Sequence, residues 1–335
     1  MRAFSLQELC PPLSASLHGS DASIIGVSTD SRSIRPGDLF VALSGDRFDG
    51  HNYLEQVAGS GAAAALVSRQ SEVAMNQLLV EDTRVALGQL GAYNRGLFCG
   101  SSVGITGSCG KTSVKNLLAS ILGLRAPTLA TPGNFNNEIG LPLTLLQLRP
   151  EHQFAVLEMG AGRAGDIRYL CDLAQPHVRI LLNAMPAHLE GFGSVDEVAS
   201  AKGEILQSNE GDISVVICAD SEYAPLWREM AGDARRLEFG IAEAADVRAW
   251  EISGDTSGSS FRLQLGGENY PVRLQLPGQH NVLNALAAAA AASLLDIEPA
   301  IIVEGLQRAQ PVDGRLKPSM PKETSRILIL MRRAT

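Results

Sequence analysis

The chain has 335 residues, 45% of them hydrophobic and 19% charged, and a formal net charge of −8. That length allows two domains with sizeable cores, and the acidic balance argues against nucleic acid or an anionic membrane as the main partner. Five scattered cysteines, Cys10, Cys99, Cys109, Cys171 and Cys218, form no C-x-x-C pair, which argues against a disulfide framework or zinc site and fits a reducing cytoplasm.

The opening "MRAFSLQELCPPL" lacks the apolar centre of a signal peptide. Residues 1–82 then read as a small α/β unit. "SIIGVSTDS" and "DLFVAL" have the look of short strands, "HNYLEQVAGS" of a helix and "AAAALV" of a buried strand. A helix over "TRVALGQLGAYNRGL" leads into a second unit, residues 83–313. There strand and helix patterns alternate: "SSVGIT", "SVKNLLASILGL", "FAVLEMG", "DIRYLCDL", "VRILLNA", "VDEVASAKGEIL", "ISVVICA". Such alternation predicts a mostly parallel sheet flanked by helices, with ligands beyond the carboxyl ends of its strands. From Trp250 to Leu276 the period becomes two (Phe261, Leu263, Leu265; Val272, Leu274, Leu276), split by "GGENYP", which predicts an antiparallel extension. The alanine-rich run Ala285–Leu295 is too short to span a bilayer and reads as a tightly packed helix. The fold class expected is α/β throughout.

"GITGSCGKTSVKNLL", from Gly104 to Leu118, follows an apolar strand and opens a helix with Val114, Leu117, Leu118, Ile121 and Leu122 on one face. Amide groups at a helix start, with the helix dipole behind them, favour an anion. Gly107 and Gly110 allow close backbone approach, Lys111 can reach terminal phosphates, and the Thr112 hydroxyl can sit on Mg²⁺. Ile105 stands where the strict P-loop has its first glycine, so a glycine-rich turn that binds nothing is the alternative. Cys109 reads as a loop residue rather than a nucleophile.

Phosphate chemistry needs metal ligands and a charge clamp, which strand ends can supply. Glu158 ends "FAVLEMG" and precedes a loop with Gly160, Gly162 and Gly165; alone it reads first as a solvated rim acid. His188 follows the strand "VRILLNA", and Lys202 lies on the next helix in "SAKGEIL". Taken singly, these read as a structural histidine and a solvated lysine. Beside a phosphate loop all three become candidates.

Together the pieces resemble the Mur ligases, ATP-dependent amide ligases of peptidoglycan precursor synthesis. "GITGSCGKT" is similar to the family's variant P-loop, and "LEMGAGRAGDIRYL", "AHLEGFGSVDEVASAKGEI" and "LPGQHNVLNALAA" follow in the family's order. "STDSRSIRPGDLFVAL…DGHNY" resembles the UDP-binding N-terminal domain. "TPGNFNNEIGLPLTLL" resembles the segment of the member that adds D-alanyl-D-alanine to UDP-N-acetylmuramoyl-tripeptide. The resemblance implies that Gly107, Ser108, Cys109, Gly110, Lys111, Thr112 and Ser113 hold the ATP phosphates. It sets Thr112, Glu158 and His188 around Mg²⁺ and makes Lys202 a carbamylated ligand for a second Mg²⁺, with Lys111, Glu158, His188 and Lys202 the catalytic group. His280, Asn281 and Asn284 would lie near the adenine and Arg315 near the phosphates. Asn134, Asn136 and Asn137 would contact the muramoyl-peptide, and Asp30, Ser31 and Arg32 the UDP moiety. The implied reaction passes through an acyl phosphate, in a cytoplasmic protein expected to be a monomer.

Two departures stand out. Met185–Pro186 replaces a Val–Gly-like pair ahead of His188, which should change the loop without removing the site. After "VDGRLKP" the last residues, "SMPKETSRILILMRRAT", do not resemble the family's next segment, so residues 314–335 are expected to be a remnant or altered start of a missing third domain. That leaves open a non-catalytic protein holding ATP or UDP-muramoyl-peptide. A further alternative, another amino-acid ligase of this type, is opposed by "GNFNNEIG".

Overall fold

In the computed structural model, residues 1–186, 189–207, 212–242 and 244–310 are described. The first five-stranded sheet has the order Ser16–His18, Asn76–Leu79, Ala64–Val67, Asp38–Val41, Gly26–Ser28, all neighbours parallel except the first pair. The expected strand over "SIIGVSTDS" divides into Ser23–Ile24, which pairs with Phe4–Ser5, and Gly26–Ser28. The opening segment, for which the sequence gives no element, is helical over Leu6–Leu13. Ser5 caps it, and Leu6, Leu9 and Leu13 are buried at helical spacing.

A nine-stranded sheet forms the larger body. Its order is Thr128–Ala130, Phe154–Glu158, Ser101–Thr106, Val178–Leu181, Ser214–Cys218, Arg235–Gly240, Val247–Asp255, Gly258–Leu265, Glu268–Leu274. The first seven strands are parallel, and the last two add antiparallel. The central parallel strands Phe154–Glu158, Ser101–Thr106, Val178–Leu181 and Ser214–Cys218 are short, mostly apolar buried runs, as a sheet covered on both faces requires. The antiparallel turn is tighter than "GGENYP" suggests: Gly266 and Gly267 make it, both at positive φ, and the strand begins at Glu268. Pro271 is tolerated because this is the edge strand.

Helices Lys111–Gly123, Gln279–Leu294 and Pro299–Arg308 cover one face. Ala287 to Ala292 are fully buried, and their small side chains let the helix lie close to its neighbours. Gly305 approaches the Ile121 backbone so closely that a Cβ would stand 2.5 Å from Ile121 Cα. On the other face lie helices Gly140–Leu145, Asp166–Ala174 and Ala224–Ala231; the last carries the fully buried Trp227, whose indole N–H donates to Ala199 O at 3.1 Å. The helix Thr83–Gly96 serves both bodies. Ala86, Leu87 and Leu90 enter the N-terminal core, while Gly91 lies against Pro142.

Candidate active site

Three strand ends converge at the carboxyl edge of the large sheet. The strand Ser101–Thr106 lies between Phe154–Glu158 and Val178–Leu181 and delivers the phosphate loop between them. Gly107 cannot carry a Cβ, which would stand 2.9 Å from Leu182 Cβ. Gly110, at φ +85°, caps the helix Lys111–Gly123 in the left-handed region that glycine occupies freely. Its missing side chain would meet Asn284 Oδ1 at 2.5 Å, so the start of helix Gln279–Leu294 abuts the loop. There Asn284 donates to Asn281 Oδ1 at 3.3 Å, Asn281 donates to Pro277 O at 2.8 Å, and His280 is exposed.

Residues after Leu181 brace the loop. Asn183 accepts from the Cys109 N–H at 3.0 Å and donates to Cys109 O at 3.2 Å. Ser108 Oγ donates to Met185 O and accepts from Met185 N–H. Met185, which precedes Pro186, is therefore tied to the phosphate loop through its backbone. Its sulfur lies 3.3 Å from Cys109 Sγ.

Glu158 is not a rim acid. It is 2% exposed, and its two oxygens are divided. Oε2 accepts from Thr112 Oγ1 at 3.0 Å, and Oε1 accepts from Asn136 Nδ2 at 2.8 Å. Its N–H donates to Thr131 Oγ1 at 2.9 Å. Asn136 thus holds the carboxylate, and its own carbonyl accepts from Gly160 N–H. Asn137 Oδ1 accepts from Ile139 and Gly140 N–H, a turn at the start of helix Gly140–Leu145, while Asn134 is exposed beside them. Lys111 Nζ donates to Gly107 O at 2.6 Å.

A cleft of about 360 Å³ opens over these groups, lined among others by Ser108, Lys111, Asn136, Asn137, Tyr169 and Lys202. Lys202 is 3% exposed, with its ammonium 5.9 Å from the Phe192 ring. Burial and the charge of Lys111 push its pKa down to about 8. The structure therefore brings together the phosphate loop, Glu158, Asn136, Asn137 and Lys202. His188 and Arg315 lie outside the described residues. Asp30 and Arg32 stand apart from this cleft, in the turn after Gly26–Ser28. The Arg32 guanidinium, bonded to Asp30 Oδ2 at 2.7 Å, lowers the carboxyl pKa to about 2. Ser31 lies between them and is half-buried.

Among the described residues no three His, Cys, Asp or Glu side chains converge as a metal cluster. Mg²⁺ does not need one, because it commonly rests on one or two carboxylates plus phosphate and water oxygens. The adjacent Thr112 hydroxyl and Glu158 carboxylate are hard oxygen donors of that kind, so the residues fit the ion. A larger cavity of about 620 Å³ opens near the amino ends of the strands, lined by Arg95, Arg168, His177 and Arg179. Its two buried guanidiniums are spent on backbone carbonyls, Arg95 on Ala174 O and Arg179 on Gln207 O among them.

A family model described as the Mur ligase middle domain matches residues 105–292, and one described as the Mur ligase family catalytic domain matches residues 23–95. The UDP-N-acetylmuramoyl-tripeptide–D-alanyl-D-alanine ligase of Escherichia coli (strain K12) is 40% identical over 329 residues, which are 98% of this chain and 73% of that protein. The chain belongs to the Mur ligase family. A crystal structure of MurF from Acinetobacter baumannii superposes with a TM-score of 0.91 at 40% identity, covering 95% of this chain and 70% of that one. A MurF ligase from Thermotoga maritima, in complex with ADP, gives 0.78 at 32% identity, covering 86% and 67%. As a Mur ligase the chain also shows residues that its sequence did not single out: Lys115, Thr131 and Asn183. Lys115 had a signal, since it precedes Leu118 and Leu122 by three and seven residues and so shares their buried face.

Proposed function

We propose that this Mur ligase is an ATP-dependent acid–amino-acid ligase that joins D-alanyl-D-alanine to UDP-N-acetylmuramoyl-tripeptide. The observation that carries the reading is the convergence of the phosphate loop with Glu158, through the 3.0 Å bond from Thr112, under a cleft lined by Asn136, Asn137 and Lys202. The relatives named for this reaction are similar over nearly the whole of the chain.

The backbone from Gly107 to Ser113 would cradle the nucleotide phosphates, with Asn284 and its neighbours on the nucleoside side. Lys111 would exchange its bond to Gly107 O for a phosphate oxygen and offset charge as two anions approach. Thr112 and Glu158, with His188, would hold Mg²⁺, which when bound supplies Lewis-acid polarisation of the phosphoryl oxygens. In the reaction, a tripeptide carboxylate oxygen attacks the γ-phosphorus, the bond to the ADP oxygen breaks, and an acyl phosphate forms. The dipeptide amine then attacks the acyl carbon, inorganic phosphate leaves, and the amine gives up a proton. Asn134, Asn136 and Asn137 would meet the muramoyl-peptide, and Asp30, Ser31, Arg32 and Arg315 would complete the UDP and phosphate contacts. Lys202 would act as its carbamate: the amine adds to the carbon of CO₂, releases a proton, and becomes an anionic ligand where an ammonium would repel a cation.

Calorimetric titration with Mg-ATP and with the UDP-tripeptide, followed by phosphate release on adding the dipeptide, tests this. Both ligands should bind, Lys111→Ala should abolish nucleotide binding, and release should depend on the dipeptide. Unchanged nucleotide binding by Lys111→Ala would reject the phosphate-loop assignment. Binding without release would describe a chain that holds its ligands without completing the transfer.

A further inference from the structure

Lys115 lies one turn beyond Lys111 on the phosphate-loop helix and is 4% exposed. Burying an ammonium is costly unless its charge and donors are answered. Here Nζ donates to Thr131 O at 2.8 Å and to Gly133 O at 3.0 Å, and stands 3.9 Å from Glu158 Oε2. The last distance is too long for a hydrogen bond, so the charge acts on the carboxylate while two donors grip the backbone.

Those two carbonyls belong to the segment that leads into Asn134, Asn136 and Asn137. The same segment touches Glu158 twice, through the Thr131 hydroxyl and the Asn136 amide. Thr112 closes the circuit back to the helix. Among these groups Lys115 touches the helix, the asparagine loop and the carboxylate at once. A hydrophobic residue would fill the same space without that connection.

We propose that Lys115 is a positioning residue, fixing the Glu158 carboxylate and the Thr131–Gly133 backbone in one arrangement that keeps the nucleotide and substrate sides of the cleft in register. This rests on the reading of the cleft as a nucleotide site. Lys115 touches no reacting atom; it acts through Glu158.

The test titrates the 335-residue chain with ADP, with and without Mg²⁺, and reads the fold-increase in affinity that the metal brings. In Lys115→Met the metal-free affinity should stay within about twofold, while the increase due to Mg²⁺ falls about tenfold. Glu158→Gln should lose that increase alone, and adding Lys115→Met to it should change nothing more, because one group acts through the other. Losses that multiply, an unchanged metal effect, or an equal fall without metal would each overturn the proposal. Should Lys115→Met fail to fold, Lys115→Gln keeps a donor for the carbonyls, removes the charge, and is read by the same criteria. An unaltered chain that binds no ADP would overturn the nucleotide reading and this inference together, whereas normal ADP binding with an unmoved variant overturns only the inference.

Discussion

Gly110 and Gly123 stand at opposite ends of the phosphate-loop helix and should respond oppositely to alanine. Gly110 has φ +85°, and its added Cβ would lie 2.5 Å from Asn284 Oδ1. The left-handed backbone costs an L-residue roughly 1–2 kcal/mol. Displacing the Asn284 amide from Asn281 adds about 1 kcal/mol, so Gly110→Ala should lose about 2–3 kcal/mol. Gly123 is helical, and nothing lies within 4 Å of its added Cβ. Alanine there restricts the unfolded chain and should stabilise by about 0.5–1 kcal/mol. Both tryptophans, Trp227 and Trp250, lie in the large body, so their fluorescence during urea unfolding reports on it. The midpoints should move in opposite directions, and ADP affinity should fall only for Gly110→Ala, whose loop amides are displaced. A Gly110→Ala chain of normal stability that still binds ADP would refute the argument that this turn is set by its backbone conformation.

Three other expectations follow from the same geometry. Asn136→Ala should weaken not only the UDP-tripeptide, as a pure substrate contact would, but also Mg-ADP by about tenfold or more, since a hydrogen bond to a charged group is worth about 1.5–3 kcal/mol. Calorimetry that shows loss of the tripeptide alone would return Asn136 to a substrate role only. Carbamylation of Lys202 should give a ¹³C carbamate signal in the chain equilibrated with labelled bicarbonate, absent from Lys202→Met; no difference between the two spectra would remove the carbamate. Arg228 forms a paired bond to Glu238, at 2.8 and 2.6 Å, and holds the Glu238 carboxyl below its ordinary pKa. A depressed folded pKa contributes stability above the ordinary carboxylate range and loses it as pH falls through the folded value. Because the guanidinium is partly exposed, Arg228→Met should cost only about 1 kcal/mol at neutral pH. Urea midpoints should show that deficit closing in acid; a deficit independent of pH would assign the loss to packing.

Elements buried on both faces were legible as apolar runs: "SSVGIT" is the strand Ser101–Thr106 residue for residue. Those that hid did so for physical reasons. Arg235–Gly240 begins with two arginines because its first residues are exposed, and Thr128–Ala130 is three residues at a sheet edge, too short for a period. Leu6–Leu13 carries Pro11 and Pro12, which mask a regular apolar spacing. At the site, linear motifs marked Gly107, Gly110, Lys111 and Thr112, since a phosphate loop is contiguous in sequence. What motifs could not express was partnership. Glu158 looked like a rim acid because the groups that bury it, Asn136 and Thr131, come from a different connection, twenty-two and twenty-seven residues away.

That partnership bears on how the cleft would take up a metal. The Thr112–Glu158 bond joins two of the atoms that would hold it, so uptake would exchange that hydrogen bond. The other oxygen of Glu158 can remain on Asn136 throughout, because the carboxylate presents its two oxygens to different neighbours. An acid held at one oxygen and exchangeable at the other is already oriented before any ligand arrives, and so loses little freedom on binding. A solvated acid at the same strand end would have to be ordered by the ligand itself. The asparagine loop is part of that holding, so a ligand which moves Asn136 must also move the carboxylate beneath the phosphate loop. Through these two hydrogen bonds Glu158 ties the asparagine loop to the start of the helix Lys111–Gly123.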